Sequence, residues 1–307
     1  MKATRNLLIS ALYILNSFLW IGSLSCKNQH TLEEIGYDLS KPTEIVEMSD
    51  SLREISGITL LDNATIACIQ DENGVVFIYD FLHKKMKNKL TFYDDGDYEG
   101  ICKVDTSIFI LRSDGRLFEI SNYLAKSVAT VQYPTEMKSA NNEGLCYDNV
   151  HNRLLIARKN KLAKGKAYKN KRAIYAFDLK TKTLNSQPVL EFDVDTVKKI
   201  ALEEKIKLPV KVKKKGKNKS VESILRFASS EIAIHPVTGK IFLLSSIDHL
   251  LFVIDKDGSI EHVAFLDPAI FIQPEGIAFL KNGDMFITNE GKKGSSTLLR
   301  FNYKRPK

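Results

Sequence analysis

The sequence predicts an all-β protein, a β-propeller of five blades whose ring is closed by pairing a strand near the N-terminus with the last blade. Three observations predict it. A short motif recurs: Ser56-Gly57-Ile58, Glu99-Gly100-Ile101, Glu143-Gly144-Leu145 and Glu275-Gly276-Ile277, with a degenerate copy at Ser230-Glu231-Ile232. From Gly57 the copies follow at intervals of 43, 44, 87 and 45 residues, and a period in the low forties is that of a four-stranded propeller blade. Each interval also holds short runs rich in Ile, Val, Phe and Tyr, separated by turn pairs such as Asn73-Gly74, Asp114-Gly115, Asp257-Gly258 and Asn282-Gly283.

The degenerate copy is in register because Glu231–Ser246 matches Gly144–Lys159 without a gap. The 87-residue interval fits either two blades, which would make six, or one blade with an insertion. Its two lysine-rich tracts and helix-like run favour the insertion.

Strand by strand, the first blade is expected at 57–61, 64–70, 74–80 and 89–93. The second is expected at 100–104, 107–112, 116–120 and 128–133, and the third at 144–147, 153–158, 172–178 and 188–192. The fourth is expected at 230–234, 240–245, 249–254 and 260–265. The last has only 276–280, 284–288 and 297–303, and its missing outer strand is assigned to Thr43–Met48. Closing the ring with both ends of the chain leaves no exposed inner seam.

The N-terminus reads as a leader over 1–25. Lys2 and Arg5 precede an apolar stretch from Leu7 to Leu24, and Gly22-Ser23-Leu24-Ser25-Cys26 resembles a bacterial lipoprotein cleavage site that would leave Cys26 lipidated. An uncleaved anchor helix or an ordinary secretory signal is the alternative. Either way the body is expected outside the cytoplasm, in the bacterial cell envelope, with the lipid anchor on Cys26 holding it to a membrane. Residues 26–42 are expected to be a polar tether before the 43–307 propeller domain.

Net charge is +8, but Asn160–Arg172 and Pro209–Ser220 each carry six basic residues and no acid, so the rest of the chain is net −4. The first tract is a basic insertion (160–172). The second lies in a larger one (193–226), expected as a short helix leading into a flexible, solvated loop. Lacking interleaved aromatics or a nucleic-acid motif, these tracts do not point to nucleic acid. Cys68, Cys102 and Cys146 form no disulfide framework. Cys102 and Cys146 share a motif position with Thr59, Ala233 and Ala278, which marks a small buried site.

In a propeller the start of the first strand and the end of the second open on one rim of the channel. That rim gathers Ser56, Glu99, Glu143, Ser230 and Glu275 from first strands. From second strands it gathers Gln70, Arg112, Arg158, Ser245 and Asn289, followed by Asp71, Ser113, Lys159, Ser246 and Glu290. Three glutamates converging on a narrow channel repel one another, which protonation, basic neighbours or a cation relieves. Hard oxygen donors favour Ca²⁺ or Mg²⁺. The expected site is Ca²⁺ held by Glu99, Glu143 and Glu275, with Asp97, Asp71 or Glu290. The competing reading is that the glutamates bond neighbouring backbone and tile the blades together. Arg112, Arg158 and Lys159, flanked by Gln70 and Asn289, would receive a small anionic ligand, or else neutralise the glutamates. Asp94-Asp95-Gly96-Asp97 reads as an exposed turn or a second cation site. No nucleophile elbow, zinc-protease helix or phosphate loop is present, and His235, His249 and His262 form no readable triad.

The copies REISGI, GDYEGI, NNEGLCYD, SSEIAIHP and QPEGIAF, with IQDENG, LRSDG and TNEG after the second strands, resemble the SdiA-regulated (YjiK-like) family of bacterial envelope propellers from about Arg53 to Tyr303. The resemblance implies a propeller, Ca²⁺ in or near its channel and a role in calcium response. More distantly the chain is similar to phytase-like propellers, which are calcium-dependent phosphohydrolases. It departs in its lysine-rich insertions and at Glu231, which replaces the motif glycine. The leading expectation is a non-catalytic, lipid-anchored module that binds Ca²⁺, a small anionic ligand or an envelope protein partner. The rivals are a calcium-dependent phosphoesterase and a scaffold with an empty channel.

Overall fold

The structure, a computed structural model, describes residues 34–306 apart from 126, 136, 138–140, 163, 164, 216, 217 and 293. The expected leader and Cys26 lie outside the described residues. Five blade sheets, four of them four-stranded and one five-stranded, stand around a channel. Blade 1 is Ile55–Leu60, Thr65–Gln70, Val75–Asp80 and Lys85–Thr91. Blade 2 is Tyr98–Val104, Ser107–Arg112, Leu117–Ser121 and Ala129–Tyr133. Blade 3 is Asn142–Asp148, Arg153–Arg158 and Lys171–Asp178, its outer position shared by Thr183–Leu184 and Leu190–Asp193. Blade 4 is Glu231–Ile234, Ile241–Ser245, Leu250–Ile254 and Ile260–Phe265. Blade 5 is Pro274–Phe279, Met285–Asn289 and Thr297–Phe301, completed by Glu44–Glu47. That last strand pairs antiparallel with Thr297–Phe301, Ile45 opposite Leu299, so the ring closes as the sequence predicts. The inner strands touch in order from blade 1 to blade 5 and back to blade 1.

Period-two alternation explains why these runs must stack. In Thr65–Gln70, Ile66 and Cys68 pack toward blade 5, while Ala67 and Ile69 pack toward blade 2. Every residue of that strand is buried. Each blade thus has two apolar faces, and the described core falls into five clusters, one per blade interface. Outer strands such as Lys85–Thr91 are largely exposed and polar.

The motif glycines set the bore of the channel. A Cβ on Gly100 would lie 2.7 Å from Leu145 Cβ and 2.8 Å from the Glu143 carbonyl oxygen on the next inner strand. Neither atom is the end of a flexible side chain. Gly100→Ala is therefore expected to lower unfolding stability in urea by about 2–3 kcal/mol. Gly294→Ala, where a Cβ meets nothing within 4 Å, should stay within about 0.5 kcal/mol.

Two expectations are corrected. The lysine-rich stretch is not a loop: Val210–Lys215 and Asn218–Ser223 form a two-stranded hairpin outside the blades, after the helix Val194–Glu203. Alternation of Val210 and Val212 with lysines supplies the strand pattern, and Val212 pairs with Val221. This helix and hairpin fill the long repeat interval, so the ring has five blades and not six. The tether is also shorter than expected. Ile35, Tyr37 and Leu39 are buried in the interface of blades 4 and 5, because their alternation gives the segment an apolar side.

Candidate functional site

Each first strand but that of blade 4 begins with a β-bulge. Ile55 pairs with Gln70 and Gly57 with Ile69, leaving Ser56 unpaired between them; Glu99, Glu143 and Glu275 stand in the same way in their own blades. A bulge re-aims one side chain without breaking the ladder. Here it turns three carboxylates to one end of the channel, while the following glycine lets the next blade approach.

The structure brings Glu99, Glu143 and Glu275 together around one cation. Lys159 Nζ is 2.6 Å from Glu143 Oε1 and also acts electrostatically on Glu99 and Glu275. Burial pushes the Glu99 carboxyl up to about 9, reinforced by Glu143 and Asp97 and opposed by Lys159. Burial likewise raises Glu143 to about 7 against the pull of Lys159. Glu275 rises to about 7 through burial and Glu143, opposed by Lys159 and by its bond with Gln273. The mouth therefore retains protons near neutrality.

Asp71 and Glu290 lie beside this group. Burial, with Glu54 and Glu72 nearby, raises Asp71 to about 6, and its Oδ1 is buried with no hydrogen-bond partner among the described residues. Burial also raises Glu290, whose carboxylate takes the Gln273 amide. Asp97 adds its charge to Glu99 and Glu143.

Of the expected anion receivers, Arg112, Arg158, Lys159 and Asn289 are engaged. Arg112 makes a two-point contact with Asp114, Nε to Oδ1 at 3.1 Å and Nη2 to Oδ2 at 2.7 Å. Buried Arg158 donates to the Leu162 carbonyl at 2.7 Å. Asn289 donates to the Ile270 carbonyl and to Thr297 Oγ1. Gln70 lines a cavity of about 560 Å³ with Arg53, Glu54 and Lys89, and Glu54 acts electrostatically on Asp71 and Glu290. Asp94 serves a turn, its carbonyl accepting the Tyr98 hydroxyl at 2.6 Å. Among the described residues no three carboxylate, imidazole or thiol groups stand in metal-coordinating geometry.

Glu231 was missed as a site residue. It occupies the motif glycine's place, and its side chain enters the channel. Its Oε1 accepts the Leu145 N–H at 2.6 Å and the Ile232 N–H at 2.9 Å. Its Oε2 is buried with no hydrogen-bond partner among the described residues, beside Gly57 on the opposite blade. Complete burial holds the carboxyl well above the usual range, with Glu99 and Glu143 adding to it. The signal was in the sequence: a side chain where neighbouring blades leave no room for a Cβ has only the channel to enter. Glu231→Ala, which strands two N–H groups, is expected to cost about 3 kcal/mol in urea denaturation. Glu231→Gln, which keeps an acceptor, should stay within about 1 kcal/mol.

No family model and no curated protein sequence matches this chain. Solved structures show its fold. A glutaminyl cyclase from Myxococcus xanthus is similar at 13% identity, covering 85% of this chain and 95% of that one, with a TM-score of 0.53. A PQQ-bound aldose sugar dehydrogenase from Streptomyces coelicolor is similar at 11% identity, covering 86% and 98%, with a TM-score of 0.52. The chain is a β-propeller, and at these identities the likeness concerns the fold alone.

Proposed function

We propose that this protein is a non-catalytic interaction module of the bacterial envelope that binds a hard divalent cation, Ca²⁺ by donor type, at the glutamate mouth of its channel. One observation carries the reading: glutamates from three blades, Glu143 buried and Glu99 and Glu275 largely so, share a single lysine. Such a set lacks positive charge, and its all-oxygen donors suit Ca²⁺. Glu99, Glu143 and Glu275 would hold the ion, with Asp97, Asp71 or Glu290 at the edge, and Lys159 would be displaced from Glu143. The ion would supply charge neutralisation. The leader and Cys26 support attachment to a membrane by lipid, and the motif series supports a place in the SdiA-regulated family with a part in calcium response. A phosphoesterase needs cations free to grip phosphate, and Arg112 is held by Asp114.

Calorimetric titration of the full chain with CaCl₂ tests the proposal. Saturable binding is expected with a Kd on the order of 10⁻⁴ M, in the range of extracellular sites. It should vanish in Glu99→Gln/Glu143→Gln/Glu275→Gln, with circular dichroism confirming that the variant is folded. No heat from the parent chain overturns the proposal.

A further inference from the structure

The other end of the channel has the opposite chemistry. A half-open cavity of about 810 Å³ lies there, within the size range of small-molecule sites. Its floor is the ring of residues after the motif glycines, Ile58, Ile101, Leu145, Ile232 and Ile277, all buried. The next ring outward is small: Thr59, Cys102, Cys146, Ala233 and Ala278. That ring creates the space, since larger side chains at five converging positions would fill it.

Glu231 forms the septum between the two ends. It acts electrostatically with Glu99 and Glu143 on one side and with the Cys102 and Cys146 thiols on the other. Its Oε1 receives the N–H of Ile232, a floor residue.

The charged groups lining this cavity are basic in balance. Lys103, Arg153 and Lys256 stand against one carboxylate, Asp148. Asp148 is already taken by Arg153 Nε at 2.8 Å and His151 Nδ1 at 2.7 Å. Lys103 Nζ donates to the Leu61 carbonyl at 2.8 Å, and an ammonium carries three donors, leaving it further capacity. Val150, on the same wall, is exposed to 77%.

We propose that this end of the channel binds an amphiphile with an apolar body and a single anionic head, the class that decanoate represents. The body rests on the Ile and Leu floor within the small-residue ring. The head meets Lys103, Lys256 and Arg153. Neither part uses the glutamate mouth.

The two thiols report directly on occupancy. The probe is decanoate below its micelle-forming concentration, added to the full chain, and the readout is the rate of N-ethylmaleimide modification at each cysteine by peptide mass spectrometry. At ten times its Kd, decanoate should slow modification of Cys102 and Cys146 about tenfold. Cys68, packed in the interface of blades 5 and 1, should be unaffected. Decyltrimethylammonium, with the same body and a cationic head, should protect far less. Lys103→Glu/Lys256→Glu should lose the protection by decanoate, and the triple glutamine variant of the mouth should keep it. Unchanged modification with decanoate, equal protection by the cationic probe, slowing at Cys68 as well, or protection that survives the charge reversal overturns the proposal. Because the triple variant is part of the series, failure here is separate from failure of cation binding.

Discussion

Truncating Tyr37 to alanine is expected to lower unfolding stability by about 4 kcal/mol, read as a shift of the urea midpoint at pH 7.5. The ring of Tyr37 is fully buried and packs on His235, Phe242, Phe279 and Tyr303. Its hydroxyl donates to the Gly283 carbonyl at 2.5 Å and meets His235 Nε2 at 2.7 Å. His235 Nδ1 accepts the N–H groups of Val237 and Thr238. The proton of the neutral ring therefore sits on Nε2 and is donated to Tyr37. Tyr37→Phe keeps the packing and loses the hydroxyl, so about 1–2 kcal/mol is expected there. One side chain from before the first blade strand thus ties blade 4 to blade 5.

The same contact makes the latch sensitive to acid. Burial lowers the His235 pKa from 6.5 to about 4, with Lys240 adding to it. The folded state then binds fewer protons than the unfolded state between those values. The contribution is complete above pH 6.5 and is lost as pH falls toward 4, about 3 kcal/mol in all. In Tyr37→Ala the acid-side loss should shrink, since the opened pocket hydrates the imidazole.

What the sequence revealed and what it hid follow from the range of the interactions. The blade motif was legible because every blade solves one local problem: turn a side chain inward by a bulge, then let the next strand pass close to a glycine. Gly57, Gly100, Gly144 and Gly276 repeat that solution, so their spacing counts the blades. Closure by Glu44–Glu47 was legible because the last repeat lacked one strand. Glu99, Glu143 and Glu275 were legible as a group because the repeat gives them one position in the ring. Glu231 broke the motif, and its partners, the N–H groups of Leu145 and Ile232, carry no side-chain signature. Tyr37 was hidden in a segment whose polar residues outweigh its three buried ones. The lysine tract concealed a hairpin because Val210, Val212 and Val221 are few and exposed, so composition pointed to a loop where alternation made a strand. The pairing of Arg112 with Asp114 was readable as a local turn contact, yet the ring position suggested an outward-facing clamp.

The affinity of the glutamate mouth for Ca²⁺ is expected to rise at least about tenfold from pH 6 to pH 8. In the absence of the ion, Glu143 and Glu275 titrate near 7 and Glu99 near 9. An incoming cation must displace these protons, and their release is measurable by titrating in Tris and in HEPES, whose ionisation heats differ. Affinity independent of pH would mean that the ion sits elsewhere. The same groups shape stability without the ion. Their folded pKa values stand above the ordinary 4.5, so the folded state holds extra protons from pH 4.5 up to about 7 for the pair and about 9 for Glu99. Stability contributed by the neutral forms is present below pH 4.5 and lost as pH rises through those values. The triple glutamine variant should flatten that decline and be more stable than the parent at pH 9, by an amount on the order of a few kcal/mol. A variant that loses the ion while gaining alkaline stability is the signature of carboxylates gathered for binding. Carboxylates that merely tiled the blades would give up stability when replaced.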